Sequence, residues 1–134
     1  MRRDFVLGED DAESLAASGH VYDTIAESAA KWIILRGFSI PAGYNVPVAD
    51  AAIRLGPAYP DEPIDMVYFN PPLALQSNRV IPATQGAITI EGKPYQQWSR
   101  HRTAANPWRP GLDNICTHLL QAETWLAREL GRAA

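Results

Sequence analysis

The apolar residues of this chain fall first into short strand-like runs and then, past residue 112, into a helical spacing. Lys31 to Phe38 is rich in aromatic and β-branched residues and predicts a strand. Val48 to Leu55 and Ile64 to Phe69 predict two more, and Tyr22 to Glu27 another. Ala87 to Ile90 and Tyr95 to Ser99 flank Glu91-Gly92-Lys93-Pro94 and predict a hairpin, with Gly92 free to take positive φ. Ahead of the strands, Asp10-Asp11-Ala12-Glu13 reads as a helix start, an Asp cap followed three residues later by Glu, and Gly19 ends that short helix. From Asp113 to Leu130 the positions Ile115, Cys116, Leu119, Leu120, Leu126 and Leu130 follow the spacing of one buried helix face, and Gly131 follows as a stop. Loops are marked by proline: Pro41 to Pro47, Gly56 to Pro63, Asn70-Pro71-Pro72 and Asn106 to Gly111. In Gly56 to Pro63 three prolines forbid both helix and ladder. The expected class is α+β: a short N-terminal helix, antiparallel strands in sequence order, an irregular middle and a long covering helix.

Length and composition narrow the functional classes. A chain of 134 residues is expected to form one domain and to bury roughly two-thirds of its unfolded surface. One cysteine excludes an internal disulfide and a cysteine-only zinc site, and His20, His101 and His118 are too far apart for a sequence-local metal motif. No metal and no cofactor are therefore expected. No apolar run approaches the ~20 residues of a membrane span. The start carries Arg2 and Arg3 but turns acidic at once with no apolar core, so no secretory signal is expected and the cytoplasm is the expected location. Net charge is −3, unevenly spread. Residues 1–90 hold 6 basic and 11 acidic side chains, residues 91–134 hold 6 and 4. Between Lys93 and Arg109 there are four basic residues, His101 and no acid.

The order of strand meander, Tyr59-Pro60-Asp61-Glu62-Pro63, the strand with Met66-Val67-Tyr68-Phe69, an irregular segment, Trp108-Arg109-Pro110 and a helix resembles the ubiquitin-conjugating-enzyme (UBC) superfamily. The stretches Leu35 to Asn45, Gln97-Trp98-Ser99-Arg100-His101-Arg102 and Asn106 to Gly111 are similar to a divergent bacterial branch of it. Members of that branch are encoded beside multi-ubiquitin-like proteins, an activating enzyme and a JAB-type peptidase. The resemblance covers nearly all of residues 1–134. It implies a single UBC-like domain whose partners are a ubiquitin-like modifier and an activating enzyme. Two features of the superfamily are missing. The His-Pro-Asn motif is replaced by Asn70-Pro71-Pro72, and Gly92 to His101, which occupies the active-site interval, contains no cysteine.

Ser99 falls where the family's nucleophile would lie. In an extended segment residues two apart share a side, which would set Ser99 and His101 roughly 7 Å apart at Cβ. His101 could then take the Ser99 proton as general base, and the intermediate would be an oxyester. Arg100, Arg102, Asn106, Trp108 and Arg109 are the candidate contacts to modifier or partner. The competing reading is that a surface serine and a capping histidine share this spacing by chance. Cys116 and Tyr95 are further candidate nucleophiles. Cys116 has a core-helix spacing and Tyr95 a packing reading. Trp98 and Trp108 either pack the cationic segment onto the core or offer a stacking surface. Three functions remain open: a conjugating-enzyme-like transferase using Ser99, a non-catalytic UBC-like adaptor, and a phosphate or nucleic-acid binder through Lys93 to Arg109. Overall acidity opposes the last.

Overall fold

The computed structural model describes residues 1–131. Helix α1 (Glu9–Ala17) is followed by strands β1 (Val21–Glu27), β2 (Ala30–Ser39), β3 (Val48–Leu55), β4 (Val67–Asn70), β5 (Ala87–Ile90) and β6 (Lys93–Trp98), and by helix α2 (Ile115–Gly131). The strands form one antiparallel sheet in the order β1-β2-β3-β4-β6-β5. The expected α+β architecture is present, with one difference in strand order. The first four strands are neighbours in sequence order, but β6, not β5, lies beside β4. The burial pattern explains the exchange. Strand β6 buries Tyr95 on one face and Trp98 on the other, whereas β5 buries only Ile90, so β6 takes the internal position and β5 the edge.

Two apolar clusters lie on opposite faces of the sheet. The larger joins Ile33, Leu35, Ile53, Val67, Phe69 and Trp98 to Leu15 of α1 and to Ile115, Leu119, Ala122, Trp125 and Leu126 of α2. The smaller consists of Ile25, Trp32, Ile34, Ala52, Tyr68, Ile90 and Tyr95, with neither α1 nor α2 contributing to it among the described residues. It is closed because the sheet curls. The Glu91 N–H donates to Glu27 Oε1 (2.9 Å), and Arg36 reaches Glu91, Asp23 and Asp50 at 2.7, 2.8 and 3.0 Å. Strand β2, buried on both faces from Trp32 to Leu35, reads as a continuous apolar run for this reason.

Several local expectations are corrected. Helix α1 begins at Glu9 with Gly8 in the cap position, and no side chain caps it. Asp11 works across the fold instead. The Tyr59 hydroxyl donates to Asp11 Oδ2 (2.8 Å) and accepts from the Ile115 N–H (3.1 Å), tying the proline turn to the starts of both helices. The strand expected at Ile64 starts only at Val67. The hairpin turn is the two residues Glu91 and Gly92, at φ 53° and 74°, with Lys93 already paired to Ile90. Helix α2 starts at Ile115, capped reciprocally: Asn114 Oδ1 accepts from the Thr117 N–H and Thr117 Oγ1 from the Asn114 N–H, both at 2.9 Å. Its buried face runs through Ile115, His118, Leu119, Ala122, Trp125, Leu126 and Glu129. Leu120 and Leu130 are exposed and Cys116 is only half-buried, because the helix turns its polar His118 and Glu129 inward to specific partners. Gly131 is still helical, not a stop.

Candidate functional site

Strand β6 runs straight into the site. Its antiparallel register with β4 pairs Val67 with Trp98, so the residues before β4 lie opposite the residues after β6. The chain beyond Trp98 is held from the other side by loop backbone, with the Ser99 N–H donating to the Ala83 carbonyl (3.0 Å) and the Gln97 N–H to Gly86 (2.8 Å). Ser99 is therefore half-buried at the neck, and the backbone leaves the sheet through Arg100 to Thr103.

Ser99 and His101 meet. Ser99 Oγ lies 3.4 Å from His101 Nε2. The other ring nitrogen, Nδ1, lies 3.6 Å from Asp65 Oδ2, and Asp65 Oδ1 accepts from the Arg102 N–H (3.3 Å). A hydroxyl, an imidazole and a carboxylate are thus in line at the surface, His101 being 62% and Asp65 49% exposed at the side chain. Asp65 was absent from the sequence-derived candidates. It stands 34 residues before Ser99 and belongs to no local motif. Only its place two residues before β4, next to a strand paired with β6, could have pointed to it.

The two arginines around His101 turn inward. Arg100 lies over the Trp98 ring (4.9 Å), donates to the Pro82 and Ser99 carbonyls (3.0 and 3.2 Å) and meets the buried Glu129 at 3.5 Å. Glu129 is also engaged by Arg79 (3.3 Å). Arg102 lies over the Trp108 ring (5.1 Å) and donates to His118 Nδ1 (3.1 Å). His118 Nε2–H in turn donates to the Met66 carbonyl (3.0 Å), next to Asp65, and the ring stands edge-on to Trp125. Burial keeps this imidazole neutral, its pKa pushed down to about 4. Asn106 and Arg109 are exposed, Asn106 bonded to Gln121 and Arg109 to Asp113. Trp108 is partly buried, with its N–H on the Pro60 carbonyl (2.9 Å). Trp98 is wholly buried in the larger cluster.

The other candidate nucleophiles sit elsewhere. Tyr95 is fully buried in the smaller cluster with its hydroxyl 3.4 Å from Arg36, and burial raises its pKa. Cys116 lines a shallow cavity with Ser18, His20, Phe38 and Leu119 between the two helices, and burial pushes its thiol up rather than toward the thiolate. His118 faces Arg102 and Met66, so the two form no dyad. Asn70, in the string nearest to the missing motif, donates to the Pro94 carbonyl (2.7 Å), at the opposite end of β6 from Ser99. Among the described residues no three His, Cys, Asp or Glu side chains converge as metal donors. No described helix is long and apolar enough to cross a membrane.

The site therefore sits on a helix-flanked antiparallel sheet, with a serine–histidine pair just past the internal strand β6. The family model Prokaryotic E2 family E matches residues 7–129, and the chain belongs to that family. It is thus E2-like, of the conjugating type, at the level of the family. Neither the curated proteins nor the solved structures contain a match to it.

Proposed function

We propose that this protein accepts the activated C-terminus of a ubiquitin-like modifier as an oxyester on Ser99. The observation that carries the reading is the 3.4 Å approach of Ser99 Oγ to His101 Nε2 at an exposed position, in a family of E2 type. A serine hydroxyl is a weak nucleophile unless a base removes its proton as it attacks. In the proposed step Ser99 Oγ attacks the carbonyl carbon of a modifier C-terminus held as a thioester on an activating enzyme. The hydroxyl proton passes to His101 Nε2, the C–O bond forms and the C–S bond breaks. The departing thiolate takes the proton from His101. Arg100 and Arg102 act by holding the 99–103 segment through Glu129, Trp98, His118 and Trp108. Exposed Asn106 and Arg109, together with the partly buried Trp108, form the contact surface for modifier or activating enzyme in this reading.

The test is incubation with an activating enzyme, a ubiquitin-like protein from the same genome and ATP. A covalent adduct that resists thiols, yields to hydroxylamine and disappears in Ser99→Ala is the expected result. His101→Gln should slow its formation by about 100-fold or more. An adduct that persists in Ser99→Ala refutes the assignment. Binding of the modifier with no adduct in any condition would identify a non-catalytic adaptor instead.

A further inference from the structure

We infer that Asp65 is a positioning residue for His101, which makes Ser99, His101 and Asp65 a triad in which His101 alone takes up the proton and Asp65 sets the orientation and tautomer of its ring. The inference rests on the proposed role of Ser99. Its geometry is separate from that role. Asp65 is held on fixed backbone: Ile64 before it is buried in the core, and the Met66 carbonyl after it accepts from buried His118. His101, by contrast, stands in an irregular segment whose next N–H, that of Arg102, is bound by Asp65 Oδ1. One carboxylate therefore grips the backbone beside His101 with one oxygen and faces the ring Nδ1 with the other, at 3.6 Å.

The tautomer decides what the ring can do. A neutral imidazole carries one proton, and a base toward Ser99 must keep Nε2 bare. Asp65 Oδ2 is an acceptor only, so it favours the proton on Nδ1. That leaves the Nε2 lone pair directed at Ser99 Oγ. When Nε2 takes the serine proton, the carboxylate faces the resulting imidazolium. Contacts of this kind are commonly longer in a free enzyme than in the reacting complex, and the distances of 3.4 and 3.6 Å need shorten by only a few tenths of an ångström. The same logic of orientation and tautomer selection underlies serine-hydrolase triads on unrelated folds.

Asp65→Asn separates positioning from mere support of the loop. Asparagine keeps an oxygen for the Arg102 N–H but presents an amide N–H to the ring, which favours the proton on Nε2 instead. Long-range proton–nitrogen NMR of the uniformly 15N-labelled full chain at pH 8.5 reads both tautomers. His118 serves as an internal Nε2–H reference, since it donates from Nε2 and accepts at Nδ1. The expected result is Nδ1–H for His101 in the wild type, a shift to Nε2–H in Asp65→Asn, and return of Nδ1–H in Asp65→Glu. Adduct formation should fall by about 10- to 100-fold in Asp65→Asn. A wild-type His101 that is mainly Nε2–H, or an unchanged tautomer ratio in Asp65→Asn, overturns the inference. The wild-type spectrum alone decides it if the variant fails to fold. An adduct surviving in Ser99→Ala with the expected tautomers would overturn the role of Ser99 and leave the orientation by Asp65 standing.

Discussion

Acidification should destabilise this protein through one buried imidazole, His118. The ring is enclosed by α2, the start of β4 and the 99–103 segment. Burial is the main reason its pKa is pushed down to about 4, and Arg102, donating to Nδ1 at 3.1 Å, also opposes a second proton. The hydrogen bond to the Met66 carbonyl pulls the other way, less than burial but more than Arg102 pushes, and Asp65 and Asp113 add to it weakly. In the unfolded chain the same ring titrates near 6.5. The unfolded state therefore binds more protons between pH 6.5 and 4, and stability falls as pH falls through that window. The contribution is fully present above 6.5. A difference of about 2.5 pKa units corresponds to about 3 kcal/mol at the acid limit and about 2 kcal/mol at pH 5.

His118→Gln removes the titration while keeping an amide that can donate to Met66 and accept from Arg102. At pH 7.5 it should cost about 1–3 kcal/mol, through lost packing on Trp125 and poorer bonds. Urea unfolding of both proteins at pH 7.5 and pH 5 then gives the discriminating number. The stability gap should shrink by about 2 kcal/mol at pH 5, a relative shift of the urea midpoint of about 1 M. Carboxylates titrate in both proteins alike and cancel in the difference. A gap that stays constant to within about 0.5 kcal/mol between the two pH values would refute a buried neutral His118. Protonation would also expel Arg102 from its seat, so the 99–103 segment should lose amide-exchange protection before the sheet does.

Cys116→Ser should leave any adduct on Ser99 intact and alter stability by no more than about 1 kcal/mol, since the thiol is only half-buried; thermal melting and the adduct assay check both. Glu129→Ala should cost about 3 kcal/mol in urea, because it strips the buried carboxylate, 2% exposed, from Arg79 and Arg100. It should also slow adduct formation, as Arg100 leads directly from Ser99. A loss below 1 kcal/mol would show that the cluster is solvated. Gly43→Ala should cost about 2 kcal/mol by the same measurement, because Gly43 sits at φ 109°, a backbone conformation strained for any L side chain.

The elements were legible from local composition wherever one physical signal dominated. Strand β3 has its expected limits, β2 lies within a residue of them, and the paired prolines mark true turns, because β-branched runs and locked φ angles act without help from distant residues. The inner face of α2 was less legible. A hydrophobic count puts Leu120 and Leu130 inside and omits His118 and Glu129, but burial there is settled by Arg102, Arg79 and Arg100, which arrive from other segments. The site divides in the same way. Ser99 and His101 stand two residues apart, so their meeting could be expected from the chain alone, although the segment that carries them has already left strand β6. The inward turn of Arg100 and Arg102 could not, since their partners lie on α2 and in the Pro82 loop. Asp65 could not either. By itself the sequence put the serine and the histidine within reach of each other, because only one residue separates them along the chain. Only the tertiary structure supplied the carboxylate, because the β4–β6 register, set by sheet packing between strands far apart in the chain, decides which residue stands opposite them.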